Sequence, residues 1–201
     1  MSKKEKMRVY IGFDDTDVLN SDFGTGKLAR RFEQLIPEGC NVWGVVRQQL
    51  LVDPAIPYTS HNSSACVVID CPDKSFIAVL KSAAITHIEA ASLPGSDPGL
   101  CLVGEGDPTM PKLESFGLLC TSKIVSQQNA IQAVGQAHLS GHGEGAGLVR
   151  QRVGLFQPRS GPGPADDSER PVILPGCRVR VRADPKTPGL FVFAIQENNN
   201  G

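Results

Sequence analysis

"MRVYIGFDDTD", residues 7–17, runs from a strand straight into a group of acids. Met7, Val9, Ile11 and Phe13 alternate with their neighbours and fall on one face, the period-two signature of a strand. The run ends at Asp14, Asp15 and Asp17, with only Thr16 among them. Carboxylates this close repel one another unless water or a positive group stands between them.

Outward from that strand, the elements follow in an order that names a topology. "GTGKLARRFEQLIP" (24–37) places Leu28, Phe32, Leu35 and Ile36 at helical spacing and stops at Pro37. "NVWGVVRQQLLV" (41–52) is a strand broken at Gly44, and "DPAIPYTSHNSS" (53–64) is a loop. "ACVVIDC" (65–71) is a short buried strand. "DKSFIAVLKSAAITHIEAAS" (73–92) is a helix with Asp73 as cap and Ile77, Leu80, Ala84, Ile88 and Ala91 on one face. "GLCLV" (99–103) is a fourth strand. Strand, helix, strand, strand, helix, strand is the split βαβ pattern. The expected fold is therefore α+β and ferredoxin-like: an antiparallel sheet with helices on one face.

Beyond residue 104 the pattern thins. "SKIVSQQNAIQAVGQA" (122–137) reads as a helix, with Ile124, Ile131 and Val134 apolar. Residues 158–171, "PRSGPGPADDSERP", read as a linker or flexible loop. Residues 172–196 read as a C-terminal β-hairpin around a Pro-Gly turn.

The totals limit the function classes. The chain has 201 residues and a formal net charge of −1, so it is no polycation built for nucleic acid, although a local basic face is compatible with that total. No run approaches the roughly 20 apolar residues of a membrane span. The start "MSKKEK" lacks a following apolar run, so a cytoplasmic protein without a signal peptide is expected. The six cysteines form no C-x-x-C pair and read as buried thiols.

Asp14, Asp15, Asp17 and Asp22 put four carboxylates within nine residues at a strand exit. Hard cations such as Mg²⁺ take oxygen ligands, one or two carboxylates plus substrate phosphates. Asp also favours plain turns and helix caps, so this stretch alone leaves both readings open. "FGTGKLAR" (23–30) follows, with Gly24, Thr25, Gly26 and Lys27 where a helix begins. The free backbone amides of a helix start favour an anion. The spacing is not that of a P-loop, because Ser21 stands where the first glycine would fall and Leu28 where the hydroxyl residue would. A second candidate anion seat is "GHGEGAGLVRQR" (141–152), with Gly143, Gly145 and Gly147 and the charges of Arg150 and Arg152. His138 and His142 stand four apart, but Gly141 and Gly143 argue against a helix there, and without a nearby cysteine or helical acid a zinc site is not expected. Arg178, Arg180 and Arg182 share a strand face, which suits a solvated hairpin or RNA phosphates.

In order, "GFDDTD", the glycine-led helix start, "IPYTSHNSSACVVI" (56–69), "SDPGLCLV" (96–103) and "GEGAGLVRQRVG" (143–154) resemble the N-terminal catalytic part of archaeal tRNA-isoleucine agmatinylcytidine synthetase. The resemblance covers residues 7–157. It implies a kinase-like region that binds ATP and Mg²⁺ and phosphorylates a tRNA cytidine, which agmatine then substitutes. On that reading Asp14, Asp15 and Asp17 hold the metal, and Asp14, Asp15 and Lys27 act in catalysis. Thr16, Gly24, Thr25, Gly26, Gly143, Gly145 and Gly147 contact the nucleotide. The family carries consecutive threonines at the helix start, where this chain has Lys27 and Leu28, and further RNA-recruiting domains with a zinc ribbon. The implied function is a Mg²⁺-dependent, ATP-binding phosphotransferase acting on tRNA or another nucleotide-containing acceptor. The residues also admit a nucleotide- or RNA-binding module without chemistry, and a structural, homo-oligomerising domain.

Overall fold

The computed structural model describes residues 6–56, 58–59, 61–125 and 127–143. It also describes the short strands 154–156, 173–174, 177–178 and 192–194. The first four expected strands are present: β1 (Met7–Asp14), β2 (Asn41–Gln49), β3 (Ser63–Cys71) and β4 (Gly99–Gly104). A fifth, β5 (His138–Gly141), joins them, giving the spatial order β2-β3-β1-β4-β5. Every neighbouring pair in this sheet is antiparallel. The first four strands follow the ferredoxin-like order, so the α+β expectation holds.

Alternation along β1 decides what each face carries. Val9, Ile11 and Phe13 face one cluster with Leu28, Ala29 and Phe32 of α1 (Thr25–Phe32) and Leu80, Ala84 and Ile88 of α2 (Phe76–Ala91). His87 of α2 completes that layer. Its ring lies 5.4 Å from Phe32 and 6.0 Å from Phe13, and its Nε2 donates to the Leu28 carbonyl at 2.9 Å. Asp73 accepts from the Ser75 amide and hydroxyl just ahead of α2.

The sheet's other face is covered as well. Tyr10, Cys66, Val68, Cys101 and Val103 pack under α3 (Met110–Cys120) and α4 (Gln127–Val134). Helices on one face therefore describe only the ferredoxin-like half. The later pair converts a two-layer unit into three layers. The sequence pattern did not show α3, and the helix expected over 122–137 is confined to Gln127–Val134. Leu35, expected on the core face of the first helix, stands in a 3-10 turn and is half exposed.

Toward the C-terminus the described residues form two short ladders, and most of the expected hairpin of 172–196 lies outside the described residues. β6 (Gly154–Phe156) pairs with β9 (Val192–Ala194), and β7 (Ile173–Leu174) pairs with β8 (Cys177–Arg178). The linker of 158–171 and Arg180 and Arg182 lie outside the described residues. Among the described residues, no helix is long and apolar enough to cross a membrane.

Candidate anion-binding cleft at one sheet edge

Register brings the motifs together. Asp14 at the end of β1 pairs with Gly99 at the start of β4, which pairs with Gly141 at the end of β5. On the other side, Phe13 pairs with Ala65 near the start of β3, and Ser63 pairs with Gln49 at the end of β2. The acidic exit, His61 and Asn62 ahead of β3, the "SDPG" turn and the start of "GHGEGAG" therefore emerge at one edge of the sheet. α1 begins at the same edge.

Asp15 turns the chain there in the left-handed region, at φ 50°. Asp tolerates this conformation better than most side chains. Thr16 is fully buried behind the turn. Its hydroxyl donates to Thr25 Oγ1 at 3.0 Å and its amide to the same oxygen at 3.4 Å, while its carbonyl accepts from the Leu93 amide. The Thr16–Thr25 pair thereby fixes the start of α1 against the strand exit. Gly24 caps α1 with no side-chain hydrogen bond, and the first turn carries no acid. The positive end of α1 is thus left to whatever occupies the space before it.

That space is a cleft of about 250 Å³ lined by Asp17, Gly24, Thr25, Gly26, Lys27, Arg30, Arg47, Thr59, His61 and Ser63. Among the described residues, Lys27, Arg30 and Arg47 line it together with one carboxylate, Asp17. Arg47 is oriented by Nε donation to Ser63 Oγ at 2.9 Å, and Arg30 by donation to the Gly26 carbonyl at 3.0 Å. The Lys27 ammonium donates to the Asp22 carbonyl. Asp17 Oδ2 accepts from the Thr59 hydroxyl at 3.3 Å. Burial holds the Asp17 carboxyl above its ordinary value, and the Thr59 hydrogen bond only partly offsets this. A Cβ at Gly24 would stand 3.3 Å from Asp17 Oδ2, so glycine here lets the carboxylate approach the helix start.

The cleft thus collects five of the residues singled out in the sequence: Asp17, Gly24, Thr25, Gly26 and Lys27. It does not collect Asp14, which is buried on the α3 side. There, burial first and then the Asp14 charge push the Cys120 thiol up to about 12. Among the described residues, no three of His, Cys, Asp and Glu stand close enough to hold a metal ion together. Asp14, Asp15 and Asp17 therefore do not converge as one three-carboxylate cage. Gly143 is exposed and abuts Asp97, beyond β5, while Gly145 and Gly147 lie outside the described residues.

Arg30 and Arg47 were not singled out in the sequence. Arg47 had a faint signal, a lone cation in the apolar strand "VWGVVRQQ". A second polar array was missed too. On β5, His138 Nε2 and Ser140 Oγ lie 3.0 Å apart, Ser140 Oγ and His142 Nε2 lie 2.8 Å apart, and His142 Nδ1 meets Glu89 Oε1 of α2 at 3.0 Å. Strand spacing, not helical spacing, puts the two histidines on one face.

No protein-family model matches the chain, and no curated protein does. Solved structures do. A complex of TiaS with its isoleucine tRNA and ATP is similar with a TM-score of 0.56 and 21% identity, over 76% of this chain and 39% of that one. A tRNA fluorescent labeling enzyme gives 0.57 and 22% over 76% and 39%. Apo TiaS, a tRNA agmatidine synthetase, gives 0.52 and 18% over the same shares. At these identities the likeness is one of fold, and it agrees with the fold that the resemblance implied. The chain spans about two-fifths of the length of these structures.

Proposed function

We propose that residues 7–157 form a kinase-like, ATP-binding unit whose polyphosphate lies in the cleft before α1, and that the chain acts with ATP and Mg²⁺ on tRNA or another nucleotide-containing acceptor. One observation carries this reading: the uncapped start of α1, Lys27, Arg30 and Arg47 converge on a cleft that also holds Asp17. A cleft of about 250 Å³ is smaller than the roughly 300–1,000 Å³ that encloses a drug-sized ligand. It suits a phosphate chain, with base and ribose lying across its mouth.

Asp17 and a polyphosphate compete for the same positive region, and a divalent cation reconciles them. Mg²⁺ uses one or two carboxylates plus phosphate oxygens and water. Asp17 fits as the ligand inside the cleft and Asp15 as its neighbour at the strand exit, with buried Asp14 adding negative potential. The bound ion would neutralise charge on the transferred phosphoryl group. The chain's own residues do the rest: the Gly24–Gly26 backbone and Lys27 hold phosphate oxygens, and Arg30 and Arg47 steady charge as it moves to the leaving group.

A binding module without chemistry is favoured by one observation. The Thr16 hydroxyl is spent on Thr25, and no threonine stands at positions 27 and 28. Calorimetric titration with ATP, in Mg²⁺ and then in EDTA, tests the shared premise. Binding that needs Mg²⁺ and weakens at least tenfold in Arg47→Ala supports the cleft. No binding by folded protein overturns it. Transfer of radiolabel from γ-labelled ATP to bulk tRNA then separates the enzyme from the binding module.

A further inference from the structure

Cys40 and Cys71 lie one step beyond the last paired residues of the β2–β3 ladder, Asn41 and Asp70. Their sulfurs are 3.4 Å apart. Cys71 is buried against Met7 of β1, while Cys40 is partly exposed after the Pro37–Cys40 turn. A disulfide needs the sulfurs at about 2.05 Å. Approach by little more than an ångström at the loose end of an edge strand supplies that. The residues on either side of both thiols, Gly39 and Asn41 and Asp70 and Pro72, line a cavity of about 180 Å³ together with Lys6. Neither thiol lines that cavity, so the partly exposed Cys40 sulfur is the point of entry for an oxidant.

We propose that Cys40 and Cys71 are a reversible oxidation site, in which hydrogen peroxide converts the two thiols to an intramolecular disulfide. The more exposed Cys40 sulfur attacks one peroxide oxygen. The O–O bond breaks, and the leaving hydroxide takes the thiol proton as water, which leaves a sulfenic acid on Cys40. The Cys71 sulfur then attacks the Cys40 sulfur. An S–S bond forms, the S–O bond breaks, and a second water carries off the Cys71 proton. Two thiols lose two electrons and two protons to one peroxide. The Cys71 thiol, pushed up to about 12 by burial and by Cys40, enters only in this second step.

The bond would staple the start of β2, an edge strand whose register shifts between Val42 and Gly44. Cys66, Cys101 and Cys120 lie inside the core.

The test treats the native, reduced chain with hydrogen peroxide, alkylates it in denaturant, and maps the peptides by mass spectrometry. A cross-linked Cys40–Cys71 peptide, lighter by two hydrogens and restored by dithiothreitol, is the expected result. So is slower amide exchange over the first residues of β2 in the oxidised form. The proposal is overturned if both cysteines come back alkylated as free thiols, or if Cys40 runs on to sulfinic acid without a cross-link. It is equally overturned if the bridge appears only in protein oxidised after denaturation. Wild-type mapping needs no variant to fold, and Cys40→Ser serves as the control that removes the product.

Discussion

Asp17 sits half-buried between the start of α1 and Thr59, and burial penalises its ionised form. Because its carboxyl is held above its ordinary value, the folded protein keeps this proton to a higher pH than the unfolded chain does. The contribution of Asp17 therefore falls as pH rises through that window and stays unfavourable at neutrality. Asp17→Asn removes the penalty, so the ligand-free protein should melt roughly 1 °C higher, a small gain because the side chain keeps partial contact with screening solvent. The same variant should lose the Mg²⁺-dependent part of ATP binding; an apo melting point that drops instead would show that Asp17 supports the fold. Thr25 is a structural counterpart in the same cleft. Thr25→Val leaves the buried Thr16 hydroxyl without its acceptor and should cost about 1–2 kcal/mol in denaturant unfolding, with Thr25→Ser close to wild type.

At the scale of elements, β5 carries the pH dependence. Burial first, then Lys81 and His142, hold the His138 ring below its ordinary value. The unfolded chain therefore takes up this proton first as pH falls below about 6.5, and stability is lost in that window. Melting curves across pH 7.5 to 5 should show the loss, and His138→Gln should flatten it. At the end of α4, Gly135 has φ +53° and a Cβ there would stand 2.5 Å from Thr109 Cγ2. Gly135→Ala should cost about 1–3 kcal/mol by chemical denaturation, through strain and overpacking together. Such elements also mark the limit of what the residues disclose in line. β1 was plain because Val9, Ile11 and Phe13 alternate without interruption. α3 was not, because Leu118 on its outer face is as apolar as buried Leu113, which blurs the period. β5, "HLSG", has one apolar residue, and only pairing with β4 makes it a strand. Arg47 joins the cleft through Ser63, a partner set by ladder register and invisible to local spacing.

Over the whole molecule, the cleft draws on the β1 exit, the start of α1, β2 and the loop before β3, so it exists only when the sheet is in register. Saturating Mg²⁺–ATP should raise the melting point, by about 2.7 kcal/mol of added stability at one hundred times Kd. A chain truncated after residue 104, which lacks α3, α4 and β5, should show neither cooperative melting nor binding, since the Tyr10–Cys66–Val103 face loses its cover. The central position of β1 has a consequence for synthesis. Of the strands in this sheet it is the first to leave the ribosome, yet its partners are β3 and β4, and the second of these ends at Gly104. Until that residue has emerged, the buried run of β1 lacks at least one of its two neighbours. The nascent protein must therefore carry its central strand in the open until the sheet's fourth strand is made, a period in which that strand is exposed to misassociation.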